Sequence, residues 1–150
     1  MCEDTKISIE RGVKKIQVND EGECILLPMG DQAFISDLLA LTRNFDAVSA
    51  QYYERVSEIE KMPDSTQREA LEKVSALAAA NLEICNTLKA SVDATFRDEV
   101  CRKVFGNITP SLSAFTEFFA QLSSLVQTFG AELNEERRAK IEKYTAKYHK

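Results

Sequence analysis

Nucleophilic catalysis needs a nucleophile with a base beside it, and this 150-residue chain has one histidine, His149, next to its last residue. Residues at chain ends seldom organise a site, so Ser–His and Cys–His pairs are set aside. Lys14 and Lys15 sit in a β context with no acid placed beside them. The cysteines, Cys2, Cys24, Cys85 and Cys101, include no C-x-x-C pair. Cys85 and Cys101 fall on apolar faces, where cysteine acts as a small hydrophobe, and a reduced environment is the simplest reading. Asn19-Asp20-Glu21-Gly22-Glu23 resembles part of a calcium loop. It lacks the alternating oxygen ligands and closing glutamate of such a loop and reads as a turn. Asp46, Glu54, Glu58 and Glu60 do not form the Glu-x-x-His sets of di-iron bundles. There is no G-x-G-x-x-G and no P-loop. No catalytic residue, metal site or cofactor is therefore expected, and the chain reads as a non-enzymatic interaction protein.

A net charge of −5 argues against a general nucleic-acid binder, which needs a basic face. Residues 131–150 differ, with six Lys or Arg against four Glu. A solvated mixed-charge helix is the plain reading. Docking onto an acidic partner is the other, with Lys140 and Lys143 as candidate contacts. No apolar run approaches the ~20 residues of a membrane span. The longest candidate, Val74 to Leu82, is interrupted by Ser75 and Asn81. Met-Cys-Glu-Asp-Thr-Lys carries no apolar signal region. No membrane and no nucleic acid is expected as a partner.

The expected fold is mainly α with a small N-terminal antiparallel hairpin or meander, in one domain over 1–150. Ile7–Ile9, Val13–Val18 and Glu23–Leu27 alternate or cluster apolar residues over 6–28, giving two or three short strands around the turn at Asn19–Gly22. A helical bundle spans 31–130. Asp31 is placed to cap a helix of about thirty residues, whose apolar positions Phe34, Leu38, Leu41, Phe45, Val48, Tyr52, Val56 and Ile59 recur at three and four. Met62-Pro63 breaks it, and Asp64 with Gln67 suggests a capping box for the next. That helix carries a seam of Leu71, Val74, Ala78, Leu82, Cys85, Leu88, Val92 and Phe96. The two should form an antiparallel hairpin. A short helix near Asp98–Phe105 is supported by Glu99–Lys103 and Asp98–Arg102 pairs and ends at a left-handed Gly106. Thr109 and Pro110 read as cap and first residue of the last helix. Its seam of Leu112, Phe115, Phe119, Leu122, Val126, Phe129 and Leu133 is heptad-like, which suggests self-association. Gly130 is a place to bend or end, and 131–150 reads as a charged tail, partly helical or disordered, with Ile141, Tyr144 and Tyr148 as a thin apolar edge.

Phe115, Phe118, Phe119 and Phe129 are core candidates first. Four phenylalanines in so short a stretch can also exceed what one bundle covers, and a remainder would mark a protein–protein surface. Tyr52 and Tyr53 are adjacent on a helix and cannot both face one core, so Tyr53 joins the candidate contacts.

Four stretches together resemble a family of small proteins encoded in the tail-gene region of phages and prophages of Gram-positive bacteria. They are Ile7 to Glu23, Asp31-Gln32-Ala33-Phe34, Asp93 to Arg97 with Cys101 to Asn107, and Pro110-Ser111-Leu112 followed by Phe115 and Phe118-Phe119. The likeness covers most of residues 7–122 and rests on order and spacing. The family favours Phe-Gly where this chain has Phe96-Arg97, which removes the residue that would make a tight turn easy there. Such proteins look like tail assembly chaperones. The resemblance implies a chain that coats the tape-measure protein, helps recruit the tail-tube protein, is absent from the finished tail and works in the cytoplasm of the bacterial host. A structural tail or head–tail protein retained in the particle is the alternative. A small regulatory binding module is a third reading, but it needs a basic recognition helix, and no helix from Asp31 to Phe129 is basic.

Overall fold

A computed structural model describes residues 5–148; Cys2 and His149 lie outside the described residues. Strands β1 (Val13–Gln17) and β2 (Cys24–Pro28) precede helices α1 (Gln32–Glu60), α2 (Gln67–Phe96), α3 (Val100–Phe105) and α4 (Leu112–Tyr148). The fold is mainly α, a helical bundle with an N-terminal antiparallel hairpin. β1 and β2 pair in the register Lys14 with Leu27 and Ile16 with Ile25, so alternate residues face inward together. Ile25 and Leu27 are buried on that face.

Ile7–Ile9 forms no third strand, and both isoleucines are exposed. The cause lies in the next turn of chain. Gly12 has φ +65°, and Met29 N–H donates to its carbonyl at 3.0 Å. A side chain on Gly30 would collide with the Arg11 carbonyl, so the two backbones touch here. The chain enters β1 across this contact instead of alongside the hairpin, and the expected meander is a hairpin.

α1 runs for 29 residues from an Asp31 cap, whose Oδ1 accepts from Ala33 and Phe34 N–H. α2 runs for 30. Phe34 meets Phe96, Arg55 meets Glu83, and Lys73 Nζ reaches the Glu60 carbonyl, so the helices are antiparallel along their length. The cap of α2 is Thr66, which accepts from Glu69 N–H, and not Asp64. Thr66 is the residue with extended backbone at the helix entrance, while Asp64 instead faces Lys73 at 3.5 Å.

The seam of α2 is buried in one half only. Cys85, Leu88 and Val92 are core, whereas Leu71, Val74 and Leu82 are exposed. In the outer half α2 packs through Ala80 instead, which is wholly buried. Small side chains there let the helices approach closely.

At the end of α2, Arg97 holds the left-handed conformation (φ 55°, ψ 41°) and closes the helix by donating to Asp93. The tight turn therefore exists without glycine. α3 follows, and Gly106 ends it with positive φ but extended ψ, outside the left-handed helical region expected. The ion pairs also differ from those expected: Lys103 meets Asp98 at 2.7 Å, and Arg102 meets Glu99 at 3.2 Å.

α4 begins at Leu112 and not at Pro110. Ser111 Oγ accepts from Ala114 N–H, while Thr109 donates to Asn86 Oδ1. Once started, the helix runs for 37 residues through Gly130 without ending, so the tail continues as helix as far as it is described. Leu112, Phe115, Phe119, Leu122 and Leu133 are buried along its seam.

Arg97→Gly should stabilise the fold. A side chain in the left-handed region costs roughly 1–2 kcal/mol, of which glycine's extra chain entropy returns about half. The expected gain is roughly 0.5–1 kcal/mol. It is read as a raised urea midpoint with unchanged slope.

Candidate binding surface

The described residues hold no cluster of three or more histidine, cysteine or acidic side chains suited to a metal ion. Burial raises the Cys85 thiol, and burial with the nearby Asp93 carboxylate pushes Cys101 up to about 12. Both stay protonated near neutrality and pack as small apolar groups.

One polar cluster joins the hairpin to α3. Asn19 accepts from Glu23 N–H at 3.0 Å and donates to the Lys103 carbonyl at 3.0 Å. Arg102 donates two bonds to Glu23, at 2.9 and 3.3 Å, in a fork-to-fork pair. Lys103 reaches the Cys24 carbonyl and Asp98. Hydrogen bonds from Arg102 lead the causes that hold Glu23 below the ordinary glutamate value, and the bond from Lys103 does the same for Asp98. Arg102 is shifted the other way and stays charged. Every group here is matched to another, so the cluster is a clamp. The turn at Asn19–Gly22 was legible from sequence; its long-range partner, 84 residues away, was not.

The aromatic candidates are divided by the fold. Phe115 and Phe119 lie in the core and present no surface. Phe118 is half-buried between Phe105 and Phe119. Phe129 is half-buried with Lys14 Nζ 5.5 Å from its ring centre. The apolar remainder lies elsewhere. Tyr53 is 66% exposed, and Leu71, Val74 and Leu82 are 65%, 64% and 55% exposed. Spacings of three and eight put the last three on one side of α2. Tyr52 turns inward, against the core.

Tyr53 and Leu82 line a groove of about 1040 Å³, walled also by Tyr52 of α1, Ala78 and Cys85 of α2, and the start of α4, while Leu71 and Val74 lie on the same side of α2 beyond it. Its origin is the place where α4 begins. A third helix covers the hairpin from Tyr52 and Cys85 inward, and the outer arm has only two helices. The sequence signal was present but ambiguous, because an exposed apolar stripe and a core seam share one spacing. A smaller cleft of about 360 Å³ lies between the hairpin and Phe118, Leu122 and Leu125 of α4.

Lys140 and Lys143 lie on the exposed last turns of α4, with Lys140 Nζ 3.7 Å from Glu10. These residues are far along α4 from the groove. No helix is long and apolar enough to cross a membrane, among the described residues.

The model of a family of unknown function, DUF6673, matches residues 39–150. No curated protein and no solved structure matches the chain.

Two outcomes follow from the burial pattern and the clamp. Phe115→Ala should cost about 3–5 kcal/mol, while Val74→Ser stays within about 0.5 kcal/mol of the parent, measured by urea unfolding. The second concerns pH. Glu23 and Asp98 bind protons less tightly folded than unfolded, so their stabilisation is complete above pH 4.5 and is lost as pH falls below it. The urea midpoint should drop between about pH 5 and about pH 3, and Arg102→Gln should lower it at neutral pH and flatten that drop.

Proposed function

The chain belongs to the DUF6673 family of unknown function, whose model spans well over half of it, and we propose that it is a non-enzymatic tail assembly chaperone of a phage or prophage. On this reading it binds the tape-measure protein while that long helical client is unassembled, and aids addition of tail-tube protein. The observation that carries the reading is the exposed apolar arm. Tyr53, Leu71, Val74 and Leu82 offer a docking face beside an open groove. Large contiguous apolar surface on a small protein marks an interaction site. A two-helix arm is the receptor half of a helix-in-groove contact.

A protein that shields another chain needs many modest contacts and reversible release, and repeated binding along a long client supplies avidity without one tight site. The cationic end of α4, with Lys140 and Lys143, gives a second and separate contact for acidic stretches of the client.

Co-expression with the tape-measure protein of the same genome tests this. A soluble complex carrying several copies of this chain per client is the expected result, and Val74→Glu should return the client to the insoluble fraction. A client that stays insoluble beside the parent chain, with this chain found in purified particles, would replace the chaperone with a retained tail or head–tail component.

A further inference from the structure

We infer that the groove between α1, α2 and the start of α4 receives an amphipathic helix whose apolar stripe is flanked by lysine or arginine. This deepens the client-binding reading and rests on it. The shape is that of a missing third helix. α1 and α2 diverge from α4 at Tyr52 and Cys85, and the face they leave uncovered is a row of apolar side chains. From Leu71 to Leu82 that row is about 16 Å long, roughly three helical turns.

The charge around the groove specifies the occupant further. Glu117 is the one charged side chain among those lining it. Glu60 lies two turns after Tyr53 on the same face of α1. Between Tyr53 and Glu83 the arm carries seven acidic residues and four basic ones. Asp64, Glu72 and Glu83 are paired with Lys73, Arg68 and Arg55. Glu54, Glu58, Glu60 and Glu69 make no ion pair among the described residues; Glu60 shares the groove side with Tyr53, while Glu54, Glu58 and Glu69 face away and add only to the net charge of the arm. An incoming helix therefore meets an apolar floor with Glu117 in its wall and Glu60 on the Tyr53 face beyond it, on an arm whose net charge is negative. Lysine and arginine suit such a place, because their stems cover apolar surface while their charged ends reach outward. A helix flanked by glutamate would be repelled.

The test uses the full chain and two synthetic helical peptides of about 18 residues, a length at which an alanine-rich helix begins to hold. Both carry leucine at alternating spacings of three and four in an alanine background. One has lysine on the flanks of the leucine stripe and the other has glutamate. Fluorescence anisotropy should show the lysine peptide binding about tenfold or more tightly than the glutamate peptide, with affinity falling as salt rises. Glu117→Lys should weaken the lysine peptide several-fold. Leu82→Glu is the sharper variant. It makes the arm more negative yet fills the groove floor with a charge, so groove binding predicts loss of the lysine peptide and simple charge attraction predicts a gain. Circular dichroism and thermal unfolding confirm that each variant stays folded.

Equal affinity for the two peptides, or tighter binding by Leu82→Glu, would overturn the inference. So would self-association of the chain that Leu82→Glu abolishes, since the groove would then belong to a second copy. The two readings fail separately. Client co-purification without peptide discrimination leaves the chaperone reading and removes this one. Selective peptide binding by a chain that does not solubilise the tape-measure protein does the reverse.

Discussion

A helix hides only the stripe that a neighbour covers, and the extent of α4 decides how much of the α1–α2 hairpin is hidden. Phe119 meets Phe45 with ring centres 4.4 Å apart, and Phe115 is wholly buried beside Phe105. These contacts fix where the third helix sits against the other two. Everything inward of them is core: Phe34, Leu38 and Leu41 of α1, Leu88 and Val92 of α2, and the inner face of the hairpin. Beyond Tyr52 and Cys85 lies the arm, where Ile59 and Ala80 are buried between its two helices. The same few phenylalanines therefore stabilise one half of the molecule and, by where they stop, expose the other.

The hairpin of strands depends on this arrangement. Two strands alone are marginal in water. Ile25 and Leu27 are buried against the helices, and the Glu23–Arg102 pair ties the turn to α3. Burial supplies the stability, and the polar clamp sets which way the turn faces. Partly exposed ion pairs contribute little on their own. Here the Asn19 side chain adds two directed bonds to backbone groups, which makes the docking specific.

Much of the architecture was legible in the sequence because its signals are local. Asp31 before an apolar-periodic run, Met62-Pro63 after it and the three-four alternation from Leu112 to Leu133 each need only their neighbours. Where two capping residues stood within a few positions, the choice between them was not local. Thr66 prevailed over Asp64 and Ser111 over Thr109 because Lys73 and Asn86, from neighbouring turns of the fold, engaged the alternatives. The exposed apolar face of α2 was the hardest feature to read. Leu71, Val74 and Leu82 have the spacing of core residues, and only the starting point of α4 in space leaves them uncovered. Tyr53 was accessible to reasoning because adjacent helix positions diverge by about 100°. Arg97 is the reverse case: the missing glycine left a tight turn open to question, yet Arg97 adopts the left-handed conformation and closes α2 onto Asp93.

The unbroken course of α4 has a mechanical consequence. Its 37 residues make a rod of about 55 Å, with the groove at one end and the cationic turns at the other. The helix continues through Gly130 without a break. The two proposed contact regions are thus joined by one continuous helix, like the jaws of a caliper. A long client touching both would be gauged by the distance between its own binding segments, and segments spaced too closely or too widely would engage only one jaw.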